Sequence, residues 1–206
     1  MPAPPSTSLS ILFAPGAGAS SSSPWMVEWA ERLSTLGPVT RFDYPYMLAG
    51  RRRPDPQPAL IAAHREALVS LRERSSGRVV LAGKSMGSRM GCHVSLEEPV
   101  ACLVCFGYPL RAAGSGKWRD AVLLELSTPI LFVQGTRDEL CPLDDLEKVR
   151  ARMSAPNELL VVEGGDHSLA ITARSLKEQG TTRDAVDARI LAAIERFVTK
   201  QPAATS

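Results

Sequence analysis

The chain has 206 residues, 44% of them hydrophobic and 22% charged, with a formal net charge of +2 and a pI near 8.4. That length suits one compact core rather than two, so a single domain over 1–206 is expected, with 1–7 and 199–206 as flexible tails. The charge is too mild for a nucleic-acid footprint, and no apolar run reaches the roughly 18 residues of a membrane span. The start Met1-Pro2-Ala3-Pro4-Pro5 lacks the layout of a signal peptide, so a soluble, cytoplasmic protein with neither nucleic acid nor membrane as partner is expected.

The apolar run Leu9 to Phe13 predicts a buried strand that breaks into the turn Ala14-Pro-Gly-Ala-Gly-Ala19. Trp25, Trp29, Leu33 and Leu36 recur at helical spacing before Gly37-Pro38, and Val39 to Phe42 reads as a short strand. The segment 44–58 is too rich in proline for regular structure to be expected. A helix follows over Ala59 to Arg74, with His64 on its apolar face and therefore read as structural. Next come a strand from Arg78 to Ala82, a helix from about Met86 to Glu97, and strands at 101–106 and Pro129 to Gln134. The pattern closes with a helix near 143–153, a strand from Glu158 to Val162, a polar surface connection from Arg174 to Arg183, and a helix from Asp184. That last helix buries Val186, Ile190, Ile194 and Phe197.

Apolar strands alternating with amphipathic helices predict an α/β fold, a doubly wound and mostly parallel sheet covered on both faces. The four cysteines are expected to be reduced thiols, since the small, loop-rich secreted context of disulfide frameworks is missing. Cys102 and Cys105 mimic a metal-binding pair. Within a strand, however, residues three apart point to opposite faces, so the two sulfurs cannot share a ligand.

Gly83-Lys84-Ser85-Met86-Gly87 fits G-x-S-x-G, a pattern that chance supplies in about one chain in fifteen of this length. Its position changes its weight: it follows an apolar strand directly and opens a helix, the context in which a serine projects beyond a sheet as a nucleophile. A phosphate loop ending in Gly83-Lys84-Ser85 would need glycine at 78, where the chain has Arg78. The dinucleotide fingerprint begun by Gly16-Ala17-Gly18 fails at Ser21.

Where a serine nucleophile sits in such a strand–turn–helix context, the acid and then the histidine follow it along the chain. Asp138 lies just past the strand Pro129 to Gln134, and His167 sits in the glycine-freed loop Glu163-Gly-Gly-Asp-His167. Ser85, Asp138 and His167 are thus the expected catalytic residues, with Glu139 in reserve and Asp166 shaping the loop. His93 lies too far along its helix from Ser85, and His64 comes in the wrong order. The backbone N–H groups of Met86 and Ala17 are the expected oxyanion donors. Tyr44, Tyr46, Met47, Tyr108 and Trp118 are expected at the rim of the substrate pocket, with Met86 in its floor. Gly107 to Thr128 is too short to add much beyond a short helix as a cap, and Arg51 to Arg53 suit an anionic substrate or a solvated turn.

These pieces together resemble the α/β-hydrolase superfamily over nearly the whole chain. The segments are Ala-Pro-Gly-Ala-Gly at 14–18, Tyr-Pro-Tyr-Met at 44–47, Gly-Arg-Arg at 50–52, Gly-Lys-Ser-Met-Gly-Ser-Arg at 83–89, Gln-Gly-Thr-Arg-Asp at 134–138 and Gly-Asp-His-Ser at 165–168. They look like a branch of small bacterial hydrolase-like proteins related to testis-expressed protein thirty and to a subunit of the non-specific lethal histone acetyltransferase complex. The resemblance implies the hydrolase fold and carries the triad roles onto Ser85, Asp138 and His167. Many relatives have His where this chain has Pro15, and dienelactone hydrolases have Cys where it has Ser85, which argues against dienelactone chemistry. The expected function is a serine hydrolase acting on a small-molecule ester or thioester, without metal or cofactor. The alternative is a catalytically silent hydrolase-fold scaffold, which the kinship with a chromatin-complex subunit suggests.

Overall fold

The structure, a computed structural model, describes residues 9–201. Of the expected tails, 1–7 and 202–206 lie outside the described residues, whereas Thr199 and Lys200 end the last helix. Among the described residues six strands form one parallel sheet in the order β2-β1-β3-β4-β5-β6: β1 Leu9–Ala14, β2 Val39–Arg41, β3 Arg78–Lys84, β4 Cys102–Phe106, β5 Ile130–Gly135 and β6 Asn157–Val162. Around it lie α1 Pro24–Leu33, α2 Pro45–Leu48, α3 Gln57–Arg74, α4 Met86–Val94, α5 Ala121–Glu125, α6 Leu143–Arg150, α7 Ala173–Glu178 and α8 Arg183–Lys200.

Side-chain alternation along the central strands divides the interior into two layers. Leu12, Leu81, Leu103, Cys105 and Phe132 pack toward α3, α4, α5 and α6, through Leu68, Cys92, Leu123 and Leu146. Phe13, Val80, Ala82, Cys102, Val104 and Phe106 pack toward α1 and α8, through Met26, Trp29, Ile190 and Phe197. Cys102 and Cys105 therefore belong to opposite layers, and all four cysteines are buried free thiols. Each fully buried Leu, Ile or Phe contributes about 1.5–3 kcal/mol, so the two layers carry most of the favourable energy.

Two expectations are corrected. The proline-rich segment 44–58 contains α2 and the first turn of α3, because Pro45 and Pro58 occupy first-turn positions, where a missing N–H leaves no bond unmade. The stretch expected as a surface connection contains α7, capped by Thr172 Oγ1, which accepts from the Ser175 N–H at 3.2 Å. No α7 residue is buried, so the sequence shows no apolar period there. Between β4 and β5 there is only α5 and an isolated bridge from Arg111 to Trp118, and no cap domain. Among the described residues no helix is long and apolar enough to cross a membrane.

Strand order places the turn after β1 beside the turn after β3. The chain leaves β1 for β2 on one side and returns to β3 on the other, so the connections part at the carboxyl ends of β1 and β3. Such a switch point opens the crevice where ligands meet parallel sheets.

Candidate active site

Ser85 follows β3 directly with φ 51° and ψ −111°, a backbone region a residue with a side chain enters only when its surroundings hold it there. The flanking glycines explain how the turn fits. A Cβ on Gly83 would lie 2.4 Å from the Ser88 nitrogen, and one on Gly87 2.5 Å from the Ala14 carbonyl oxygen. Ser85 stands at the N-cap of α4, but its side chain makes no capping bond. Its Oγ lies instead 2.8 Å from His167 Nε2.

His167 Nδ1 is 2.8 Å from Asp138 Oδ2. A carboxylate only accepts, so Nδ1 carries the proton and Nε2 is left to accept from the Ser85 hydroxyl. Asp138 is buried, and its charge is met by donors rather than water. Gln134 Nε2 donates to Oδ2 at 2.5 Å, and the Leu140 N–H donates to Oδ1 at 2.9 Å. Gln134 is itself fixed, since its Oε1 accepts from the Tyr108 N–H at 3.1 Å. Three side chains predicted from sequence thus meet in one hydrogen-bonded line at the ends of β3, β5 and β6.

The loop after β6 is held from several sides. Asp166 Oδ1 accepts from the Ser168 and Ala170 N–H groups at 2.7 and 2.9 Å, the loop-shaping role expected of it. Lys84 Nζ donates to the His167 carbonyl, Trp25 Nε1 to the Ser168 carbonyl at 3.0 Å, and Arg183 to the Leu169 carbonyl. The Lys84 ammonium also stands 5.6 Å from the centre of the Trp25 ring. Burial lowers its pKa to about 8, against the attraction of Asp138 and Asp166, which raises it. Glu139 is exposed and makes no bond to His167.

A cavity of about 560 Å³ opens at this point, lined by Ala17, Trp25, Lys84, Ser85 and His167 among others. Ala17 therefore shares the cavity with Ser85, and Met86 opens α4, where the first N–H groups of a helix have no intrahelical acceptor.

The expected pocket residues lie elsewhere. Tyr44, Tyr46 and the Met86 side chain form a buried cluster with Leu60 and Met90, because the α2 turn folds them against α3 and α4. Tyr46 supports the site from behind, donating from its hydroxyl to the Ala17 carbonyl at 3.1 Å. Tyr108 is wholly buried and donates to the Arg119 carbonyl at 2.9 Å. Met47 lines a separate depression of about 450 Å³ with Ala17, Arg51 and Arg52. Trp118 is 43% exposed and packs under the Arg111 guanidinium, away from the Ser85 cavity. Sequence reasoning missed Trp25, Lys84 and Gln134. Strand parity was the available signal for Lys84, which shares the face of Val80 and Ala82 and so points toward α1.

His64 is fully buried with Nδ1 at 3.1 Å from the Tyr44 hydroxyl, and His93 contacts Gln57, so neither reaches Ser85. Among the described residues no group of three or more His, Cys, Asp or Glu side chains gathers as a metal site.

Solved structures share this architecture. Dienelactone hydrolase from Anabaena variabilis superposes with a TM-score of 0.71 at 18% identity, over 96% of this chain and 88% of that one. An alpha-beta serine hydrolase homologue from Coxiella burnetii gives 0.66 at 20% identity, over 93% and 83%. A lidless a/b serine hydrolase from Xanthomonas campestris gives 0.66 at 17%, over 91% and 84%. Identities this low speak for the fold. The sequence pattern of the alpha/beta hydrolase domain family matches residues 7–199, nearly the whole chain, and on that match the protein belongs to the alpha/beta hydrolase family.

Proposed function

We propose that this protein is a serine hydrolase that cleaves an ester or thioester through an acyl-enzyme on Ser85. The observation that carries the reading is the line Ser85 Oγ to His167 Nε2 to Asp138 Oδ2, 2.8 Å at each step, with the serine facing a cavity.

Ser85 Oγ attacks the substrate carbonyl carbon as His167 Nε2 takes its proton. The oxyanion of the tetrahedral intermediate is met by the backbone N–H groups of Met86 and Ala17. Preorganised donors of this kind are worth about 3–4 kcal/mol each in the transition state. On collapse the imidazolium returns its proton to the leaving alkoxide or thiolate, and water then clears the acyl group by the same steps in reverse order. Asp138 holds the imidazole in the tautomer that can accept and stabilises its charged form.

Placement in the branch related to testis-expressed protein thirty is likewise our reading, and it rests on the motif segments at 83–89, 134–138 and 165–168. Serine, rather than the cysteine of dienelactone hydrolases, at position 85 favours ester over dienelactone chemistry.

The test is labelling by a fluorophosphonate probe combined with hydrolysis of short p-nitrophenyl esters. The wild-type chain is expected to label once, at Ser85, and Ser85→Ala is expected to lose the label and about four to six orders of magnitude in turnover. Wild-type protein that takes no label, or a Ser85→Ala variant that turns over ester at the wild-type rate, overturns the proposal and leaves the scaffold reading.

A further inference from the structure

The cavity beside Ser85 has an unbalanced charge. Its lining includes Lys84, whose ammonium stands over the ring of Trp25, another lining residue, and it includes no carboxylate side chain. That ammonium is mostly withdrawn from water, and its partners are a carbonyl oxygen and the face of an indole ring. Neither carries a full negative charge. Among the described residues no carboxylate pairs with it at ion-pair distance, and Asp138 and Asp166 act on it only from farther away. A cation in this setting is expensive to bury and gains from an anion delivered into the same space. An ammonium has three N–H groups. One is spent on the His167 carbonyl and the ammonium stands over the Trp25 ring, so its charge is met by neutral groups alone.

The rest of the lining is apolar or small, with Trp25, Met26, Ala17 and Ala19 around the space. We infer that Lys84 makes this cavity a carboxylate-recognising subsite, so that the preferred substrate is an ester or thioester whose short apolar chain ends in a carboxylate. A single lysine in the lining suits a monoanion, whereas a dianionic phosphate would demand several cationic or N–H donors. Turnover of such an ester rests on Ser85 as the nucleophile; the binding preference does not.

The experiment uses the full chain carrying Ser85→Ala, so that nothing turns over, and compares monomethyl glutarate with dimethyl glutarate by calorimetry and by intrinsic tryptophan fluorescence. The monoanion is expected to bind about tenfold or more tightly than the neutral diester, the gain of one hydrogen bond to a charged group. Adding Lys84→Met is expected to remove that gap, and Lys84→Arg to retain part of it. Equal affinity for the two esters, or a gap that survives Lys84→Met, overturns the inference.

A pH series needs no substitution at Lys84. The groups facing Lys84 are Asp138 beyond β5 and Asp166 and His167 in the loop after β6, while α1 presents the uncharged Trp25. Because burial brings the ammonium down to about 8, the gap is expected to close between about pH 7 and about pH 9.5, while the ester's carboxylate stays ionised throughout. A gap undiminished at the upper end contradicts the inference. Should the preference hold while the wild-type chain takes no fluorophosphonate label, the hydrolase reading falls and the anion subsite stands.

Discussion

His64 and His167 are the same residue type in opposite surroundings. His167 lies at the cavity with 28% of its side chain exposed and both ring nitrogens engaged by Ser85 and Asp138. His64 is sealed on the inner face of α3, against Phe42 and Tyr44, and burial lowers its pKa from 6.5 to about 3. Unfolding frees this imidazole to take up a proton that the folded protein refuses anywhere between those two values. Stability from this group is therefore complete above pH 6.5 and is lost as pH falls toward 3. His64→Phe is expected to flatten the decline in urea midpoint between about pH 7 and about pH 5.5, a window above most carboxylate titrations. A variant whose midpoint falls as steeply as wild type would assign the slope to other groups. Asp138 and Gln134 make the complementary point: a buried carboxylate is tolerable because each of its oxygens finds a donor.

At the scale of elements, the loop after β6 is positioned by chain segments remote from it in sequence. β3 supplies Lys84, α1 supplies Trp25 and α8 supplies Arg183, each donating to one of three consecutive carbonyls, and the end of β4 supplies a backbone that passes against His167. That last approach depends on Gly107, which has φ +59° and where an added Cβ would stand 2.5 Å from the His167 carbonyl oxygen. Gly107→Ala must therefore strain its own backbone and push the histidine loop outward. A displacement near 1 Å lowers turnover by about 100-fold. Ester hydrolysis in this variant is expected to fall by that order while its circular dichroism stays native. Full activity would show that the loop accommodates the methyl group. The same logic explains α2, which Pro45 begins and which folds Tyr46 inward as a prop beneath the Ala17 turn, while Tyr44 turns to His64.

For the whole molecule, one parallel sheet with apolar residues on both faces sets stability and site together. Phe132 in β5 is wholly buried and meets Tyr108 edge-on at 5.9 Å, in the same strand as Gln134 and before Asp138 in the chain. Phe132→Ala is expected to destabilise the fold by about 3–5 kcal/mol, read as a lower denaturation midpoint, since close-packed neighbours collapse only partly into the space. A loss under about 1 kcal/mol would mean that β5 repacks freely around the cavity.

By itself the sequence determined the alternation of strands and helices, the two-layer core and the order of Ser85, Asp138 and His167, because period and strand-end position are local properties of the chain. Strand parity separated Cys102 from Cys105 for the same reason. What only the tertiary structure decided was which aromatic side chains face the cavity. Tyr44, Tyr46 and Tyr108, expected at the pocket rim, are buried in packed layers, whereas Trp25, whose period marked it for the core, borders the open space. Neighbours across a sheet edge come from distant segments, and whether a ring is covered depends on what the other segments bring. Lys84 is the sharpest case. Its place beside Ser85 was plain in the chain, but its ring partner on α1, its carbonyl partner after β6 and its unmatched charge exist only once three elements converge.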